Sequence, residues 1–225
     1  MFIGHFAVAF AAKRAAPEVS LGTLFLAAQL ADLLWPNLVL LGVERFEVQP
    51  GITAVTPLDF VHYPWSHSLT ALALWGVVLA VGWVAVRLGR ATPKAALVIL
   101  AVVVSHWVLD WIAHRPDMPL TLGGDARLGL GLWHSIPATL AVEGALFAVC
   151  VALYAQGTRA VDRIGTWAFW GLVAFLVAMY AATVFGPPPA EAAHVAWAAQ
   201  AIWLLVLWGY WVDHHREKRK YGIRD

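Results

Sequence analysis

Residues 105–117 of the chain read SHWVLDWIAHRPD and end an apolar stretch that begins at residue 95. The stretch has about the 20 residues that a helix needs to cross the hydrocarbon of a bilayer. His106, Asp110 and His114 are spaced four residues apart, so a helix places them on one face. We therefore predict a membrane-spanning helix that ends in a column of groups able to bind protons or metal ions. A polar helix end that only meets water is the alternative interpretation.

The composition of the whole chain is typical of a membrane protein. Of its 225 residues, 61% are hydrophobic and 13% are charged, whereas soluble domains carry about 45–50% apolar and about 25% charged residues. The formal net charge is +1, and the basic residues separate apolar runs instead of forming a stripe, which argues against a nucleic-acid partner. Cys150 is the one cysteine, so no disulfide can form within the chain.

Six apolar windows are long enough to cross a membrane. They cover residues 21–43, 68–86, 95–113, 136–155, 164–185 and 192–212. The apolar piece 1–12 is too short to span and is predicted to be a half-inserted helix. The predicted fold class is all-α: one integral membrane helical bundle over residues 1–212, with about six transmembrane helices, and a basic tail over residues 213–225. Pro36 removes a backbone donor and predicts a kink near Asp32.

The basic residues predict the orientation of the bundle, because Lys and Arg in short loops remain cytoplasmic. They occur in three alternate connections: Arg87, Arg90 and Lys94; Arg159 and Arg163; and the tail residues Arg216, Lys218, Arg219, Lys220 and Arg224. The tail is then cytoplasmic, and the loops 44–67, 115–135 and 186–191 face the extracytoplasmic side. The histidine column lies at that outer side.

Asp32 lies near the middle of the first window, where a charged residue costs about 2.5–3.5 kcal/mol on insertion scales. It needs a partner, and a metal ion or a protonated histidine would serve, with a hydroxyl or Gln29 as the alternative. His67 lies at the outer mouth of the second window. At a rise of about 1.5 Å per residue, His5 and His106 reach a similar depth. We therefore expect side chains from four segments to converge in the outer half of the bundle.

Glu143 lies in the outer part of the fourth window, at a depth that borders this site. It is predicted to act as a metal ligand, as a general base or as an anchor for a ligating histidine. The glycine-rich stretch GGDARLGLGLW at residues 123–133 is predicted to be a flexible cover over the site. Other residues are given no catalytic role: Asp59, His62, Asp117 and His134 stay unassigned, and His194, His214 and His215 are predicted to lie at the interface.

The donor set favours a class of metal ion. Imidazole and carboxylate donors without a thiolate suit zinc, with manganese or iron as alternatives. A catalytic zinc ion keeps a position for water and lowers the pKa of that water to about 7. A cation would also offset the cost of the charges on Asp32 and Asp110 in a medium of low dielectric constant.

At these residues the chain resembles a bacterial inner-membrane family of metal-dependent hydrolases. The matching pieces are MFIGHFAVAF, AAQLADLLWP, YPWSHSL, SHWVLDWIAHRPD and GLGLW followed by Glu143, all within residues 1–145. Their order is also similar to the ligand order of zinc-dependent phospholipase C. The resemblance implies a bacterial inner-membrane location and the metal ligands His5, Asp32, His67, His106 and Asp110, with His114 as a further candidate. The His-x-x-x-Glu pair of phospholipase C is missing here, so one or two ions are expected.

The predicted function is that of an integral membrane, metal-dependent hydrolase that acts on a membrane lipid or other phosphoester through a metal-activated water. Asp110, His114 and Glu143 are the predicted catalytic residues, and Arg115 or Arg127 could hold an anionic group. A non-enzymatic metal-binding protein, either a transporter or a structural site, is the alternative, and a scaffold whose polar cluster only fixes helix packing is a third. Ionisable groups are concentrated in the outer half, which favours a site over a transport path. The oligomeric state is not indicated.

Overall fold

The structure, a computed structural model, describes residues 1–219 of the chain. The predicted tail residues Lys220 and Arg224 lie outside the described residues. The helices of the described part are α1 (Ile3–Ala15), α2 (Leu21–Ala28), α3 (Leu30–Leu40), α4 (Pro64–His67), α5 (Leu69–Val86), α6 (Pro93–Ala113), α7 (Ile136–Gly157), α8 (Arg163–Phe185), α9 (Ala192–Ala199) and α10 (Ile202–His214). Short strands pair antiparallel: β1 (Arg45–Val48) with β2 (Leu58–His62), β3 (Met118–Pro119) with β4 (Arg127–Leu128), and β5 (Thr158–Ala160) with β6 (Arg216–Lys218).

The helices confirm the prediction of an all-α membrane bundle. Among the described residues, five helical segments are long and apolar enough to cross a membrane, namely α5, α6, α7, α8 and the segment that comprises α9 and α10. The bent pair of α2 and α3 makes a sixth span if it is counted as one. The 13 residues of α1 rise about 20 Å, which is less than the hydrocarbon thickness of about 30 Å.

The first span is broken at Gln29 and is not kinked at Asp32. α2 ends at Ala28, α3 begins at Leu30, and the two helices are bent by 52°. Pro36 lies inside α3, downstream of the bend. Because α3 starts afresh at Leu30, Asp32 lies in its first turn, where the partial positive charge of a helix N-terminus favours a carboxylate. Asp32 thus lies near the middle of the broken span, as predicted, and at the start of a helix, which was not predicted.

α1 is the buried axis of the bundle. It packs against α2, α6 and α7, and Phe6, Ala7 and Phe10 have no exposed surface. The ring of Phe10 makes edge-to-face contacts with aromatic rings of α2, α7 and α8, at centroid distances between 5.2 and 6.1 Å. Such pairs add about 0.5–1.5 kcal/mol each beyond their buried area. This aromatic core fixes the position at which α1 presents His5.

The two ends of the bundle differ in chemistry. The basic end carries the connections α1–α2, α5–α6 and α7–α8 and the chain after α10. There Lys13 is buried, and its ammonium donates to the carboxylate of Asp213 and to a backbone carbonyl, each at 2.9 Å. Residues 216–218 of the predicted tail form β6 and pair with β5. The opposite end, which we name the site end, carries the connections α3–α5, α6–α7 and α8–α9.

The glycine-rich stretch 123–133 is tied to the end of α6 and does not form a free cover. The N–H of Gly131 donates to the carbonyl of His114 at 2.7 Å. Gly131 has a φ of +74°, and a side chain at Gly129 would overlap a backbone carbonyl of the preceding loop, so both positions require glycine. The stretch thereby holds the ring of Trp133 against His114, with a centroid distance of 4.3 Å.

Candidate metal centre

Five of the side chains predicted from the sequence meet at the site end of the bundle. We name them the His/Asp cluster: His5 from α1, Asp32 from α3, His67 from α4, and His106 and Asp110 from α6. Four are buried, and the side chain of Asp32 is 29% exposed. Four segments that are distant in the sequence thus contribute to one polar centre within an apolar bundle.

The donor atoms of the cluster lie close enough to share one cation. Nε2 of His106 is 3.1 Å from Oδ2 of Asp110, and Nε2 of His67 is 3.9 Å from the same oxygen. Oδ1 of Asp32 is 3.5 Å from Nε2 of His67. Zinc–ligand bonds of about 2.0–2.2 Å place two ligands of one ion at most about 4.4 Å apart. Two sets of three residues have donor atoms within 4.8 Å of one another: His67, His106 and Asp110, and His5, Asp32 and His106.

Local structure positions the imidazoles. Pro64 occupies the first turn of α4, and the hydroxyl of Ser68 caps α5 by accepting from a backbone N–H at 3.1 Å. This corner turns His67 towards the bundle interior. His5 stacks on His106 with a centroid distance of 3.6 Å and ring planes 1° apart, so α1 and α6 hold the two rings side by side.

Glu44 and Ser66 determine where His67 carries its hydrogen. The carboxylate of Glu44 accepts from the hydroxyl of Ser66 at 2.6 Å and from its backbone N–H at 2.9 Å. Since the hydroxyl hydrogen is directed at Glu44, Oγ of Ser66 accepts from Nδ1 of His67 at 2.7 Å. The neutral ring of His67 therefore has its lone pair on Nε2, which faces the cluster.

His106 and His114 are oriented in the same way. Nδ1 of His106 donates to the carbonyl of Ala28 at 2.7 Å, and Nδ1 of His114 donates to the carboxylate of Asp117 at 3.0 Å. Nε2 of His106 has no hydrogen-bond partner among the described residues. Carbonyl and carboxylate acceptors behind the imidazole are typical of metal-ligating histidines, because they fix the tautomer and the ring orientation.

These hydrogen bonds leave the Nε2 lone pairs of two histidines facing carboxylate oxygens. In their neutral forms, Nε2 of His67 and Nε2 of His106 cannot donate, and neither can the carboxylates of Asp32 and Asp110. Acceptors held 3.1–3.9 Å apart in a buried site repel one another unless a cation lies between them or each ring gains a second proton. The donor set fits a divalent ion of the zinc, manganese or iron type.

Asp110 also faces the start of α1. The α-amino group of Met1 contacts Oδ1 of Asp110 and lies 3.2 Å from Nε2 of His5. Nε2 of His5 is 3.1 Å from the same oxygen, whereas Nδ1 of His5 has no partner in the described part of the chain. One oxygen of Asp110 is thus directed at α1 and the other at His106.

His114 lies at the margin of the cluster. Its Nε2 is 4.0 Å from Asp110, and it belongs to neither set of three donors. The hydroxyl of Tyr63 donates at 3.1 Å to the same oxygen of Asp117 that accepts from His114. Burial and the neighbouring Asp117 raise the pKa of Tyr63 well above its ordinary value, so this hydroxyl remains a donor. Asp117 is therefore the partner that orients His114.

The two arginines predicted to hold an anionic group are engaged with the protein. Arg115 forms ion pairs with Asp59 and Asp117. Arg127 is exposed and donates to backbone carbonyls of its own turn. Four of the other histidines are exposed and lie outside the cluster: His62, His134, His194 and His214. The polar chemistry of the site end is thus concentrated in the cluster and its immediate neighbours.

Glu143 is buried near the cluster but belongs to neither set of metal donors. Its Oε2 accepts from the N–H of Gly4 at 3.4 Å, and its Oε1 has no partner among the described residues. The residue lines a cavity of about 580 Å³ that four members of the cluster also line. Of the three roles predicted for it, a free carboxylate oxygen in such a cavity best suits a general base.

Some contributors to the site could not be predicted from their sequence context. Glu44 lies in the loop sequence GVERFEVQPG and resembles an ordinary exposed acid, yet it is 2% exposed and bonded to Ser66. The sequence did offer a signal for two other contributors, because each lies close to a predicted site histidine. Ser66 directly precedes His67, and Asp117 follows His114 by three residues.

Comparisons of the chain with protein families, with curated proteins and with solved structures found no match. The chemistry of the site is therefore inferred from its geometry. That geometry combines imidazole and carboxylate donors, the separate carboxylate of Glu143 with a free oxygen, and a cavity between membrane-spanning helices.

Proposed function

We propose that this membrane protein is a metal-dependent hydrolase that cleaves an ester of a membrane lipid, with a phosphoester as the leading candidate. One observation carries the proposal: the Nε2 lone pairs of His67 and His106 are fixed towards the carboxylates of Asp32 and Asp110. A divalent cation resolves this arrangement without additional protons. The adjoining cavity supports catalysis over a purely structural metal site, because a catalytic zinc site keeps a position open.

His67, His106 and Asp110 would hold one zinc ion as three protein ligands, and Asp32 and His5 would border the site, so a position for water would remain open. Nδ1 of His106 is engaged by a backbone carbonyl, so both sets of three donors draw on its single Nε2 lone pair. The two sets therefore describe a place for one ion and not for two ions held by His106 at once. A bound zinc ion would supply Lewis acidity towards the ester and lower the pKa of a water in the cavity.

The residues around the cavity have separate tasks in hydrolysis. The reaction consumes one water, whose oxygen bonds to phosphorus or to an acyl carbon while the bond to the leaving oxygen breaks. Glu143 accepts the proton of that water at its free Oε1 and returns a proton to the leaving oxygen. Asp110 stays ionised as a ligand. His114 is oriented by Asp117 and directs its Nε2 at Asp110 from a distance of 4.0 Å, at the margin of the cluster.

Lipid turnover by the purified protein tests the proposed function. Protein loaded with zinc is incubated in nanodiscs made of total bacterial lipid, and the lipid classes are followed by mass spectrometry with and without a chelator. We expect one lipid class to be consumed, and the chelator to stop its consumption. Stoichiometric metal without any lipid turnover would instead support a non-enzymatic metal-binding protein, and the absence of metal would leave a packing scaffold.

We further propose that the site end faces the extracytoplasmic side of a bacterial inner membrane. The proposal rests on the basic connections, which fall at the opposite end of the bundle. In a Cys150→Ala background, a cysteine at Gln49, in the exposed loop between β1 and β2, should react with an impermeant thiol reagent in intact cells. A cysteine at exposed Arg90 should react only after lysis. The opposite labelling pattern would invert the orientation.

A further inference from the structure

The cavity beside the His/Asp cluster extends into the last two spans. Beyond the cluster its wall is formed by mostly apolar side chains of α8, α9 and α10, which include Met179 and Leu205. Trp208 limits the far end, where its indole N–H donates to the carbonyl of Ala168 at 3.0 Å and its ring lies 5.6 Å from that of Phe175. We name this apolar part of the cavity the chain slot; its wall includes the lining residues of α8 from Phe175 to Val184 and, on α10, Leu205.

The chain slot is open on the side of the bundle that faces the bilayer. Met179 on α8, Ala198 on α9 and Leu204 on α10 line the cavity and are also exposed on the surface of the bundle. These helices belong to segments that are long and apolar enough to cross a membrane. The medium at this opening is therefore hydrocarbon, so an alkyl chain can enter the slot without leaving an apolar medium.

The dimensions of the slot suit one chain of one leaflet. Its lining on α8 runs from Phe175 to Val184, about 14 Å at a rise of about 1.5 Å per residue. Half of a hydrocarbon layer of about 30 Å is about 15 Å. The whole cavity of about 580 Å³ lies within the range of about 300–1,000 Å³ that small-molecule sites span. A second chain of the same lipid can remain in the bilayer, because the slot is open at its side.

A buried hydroxyl lies in the wall that the slot shares with the polar site. Tyr180 lines the cavity and is 6% exposed, and its hydroxyl has no hydrogen-bond partner among the described residues. Glu143 lines the same cavity. The nearby hydroxyl of Thr183, in contrast, already donates to the carbonyl of Met179 at 2.9 Å. Because a buried hydroxyl without a partner is costly, we expect the hydroxyl of Tyr180 to donate to an acceptor that enters the cavity.

We propose that the chain slot takes one hydrocarbon chain of a membrane lipid from the side and thereby brings the polar linkage of that lipid to Tyr180 and the His/Asp cluster. This inference rests on the proposed function and names the part of the substrate that α8, α9 and α10 recognise. The hydroxyl of Tyr180 donates to a phosphate or ester oxygen of the linkage. The last two spans are then the substrate-recognition elements of the bundle.

Photolabelling from inside the bilayer tests the chain slot. The probe is phosphatidylglycerol with a diazirine in the middle of one acyl chain, placed in nanodiscs with the full-length protein, and the labelled residues are located by peptide mass spectrometry. We expect label on the buried residues Tyr180 and Leu205, which a chain reaches only from inside the cavity. Leu204→Trp should lower this label about tenfold. The larger ring takes the place of about two methylenes of the bound chain, so their burial no longer contributes to binding.

Leu207→Trp is the matched control. Leu204 and Leu207 lie on the same helix and are 65% and 62% exposed, but only Leu204 lines the cavity. The label on Tyr180 and Leu205 should be the same in Leu207→Trp as in the wild type. Label confined to outward-facing residues of the wild type, or unchanged by Leu204→Trp, would overturn the inference.

Zinc content measured on the same samples separates this inference from the proposed function. Bound zinc without label at Tyr180 and Leu205 overturns the chain slot and leaves the metal site in place. Label at both residues in a protein that binds no metal supports the chain slot and overturns the metal-dependent hydrolase.

Discussion

The Asp110→Asn protein is expected to purify folded but without transition metal, whereas the wild type carries one ion per chain. Asp110 supplies the oxygen that lies 3.1 Å from Nε2 of His106. Asn has the same shape but no charge, and its amide N–H can donate directly to the lone pair of His106. The substitution thus removes an anionic ligand, and it gives Nε2 of His106 a hydrogen-bond donor in place of a cation. Elemental analysis of purified protein measures the metal, and thermal unfolding in detergent reports on the fold.

Two glutamate-to-glutamine substitutions serve as controls for the metal measurement, one expected to weaken zinc binding and the other expected to leave it unchanged. Glu44→Gln acts only through Ser66 and His67, so it should weaken zinc binding by about 10–100-fold in competition with a chelator. Glu47→Gln, three residues further along the chain, changes an exposed side chain and should have no effect. Stoichiometric metal in Asp110→Asn, or equal affinities of the two glutamine variants, would contradict the assignment of the ligands.

The Glu143→Gln protein is expected to keep its metal and to hydrolyse lipid about 10²–10⁴-fold more slowly than the wild type, the range for loss of a general base. Glu143 is not among the clustered metal donors, and its Oε1 is free in the cavity. Gln retains an oxygen that can accept from Gly4 N–H but cannot take a proton from water. The measurement is the initial rate of lipid consumption in nanodiscs, normalised to bound zinc.

The normalised rate distinguishes the three roles predicted for Glu143. A metal ligand would lose zinc together with activity when it is changed to Gln. An anchor for a histidine would weaken zinc binding and leave the rate per bound zinc unchanged. Only a group that handles the proton lowers the rate per bound zinc, so an unchanged normalised rate would remove Glu143 from the mechanism.

The sequence by itself determined the membrane-spanning segments and one face of the site. Hydropathy is a local property, and a run such as 95–113 can cross a bilayer whatever its neighbours are. The spacing of His106 and Asp110 is also local, because any α-helix places residues four apart on one face. Both features can therefore be predicted without knowledge of the other helices.

The tertiary structure alone decided how the segments face one another. The break at Gln29 placed a helix start in the middle of the first span, directly before Asp32, although Pro36 had suggested a kink at a different place. Glu44, an acid of unremarkable sequence context, became the buried partner of Ser66. The same holds for the chain slot, since the apolar runs of α8 and α10 show no polar pattern that would mark an inner face. Helix azimuth and loop burial depend on contacts between distant segments, and no window of the sequence contains those contacts.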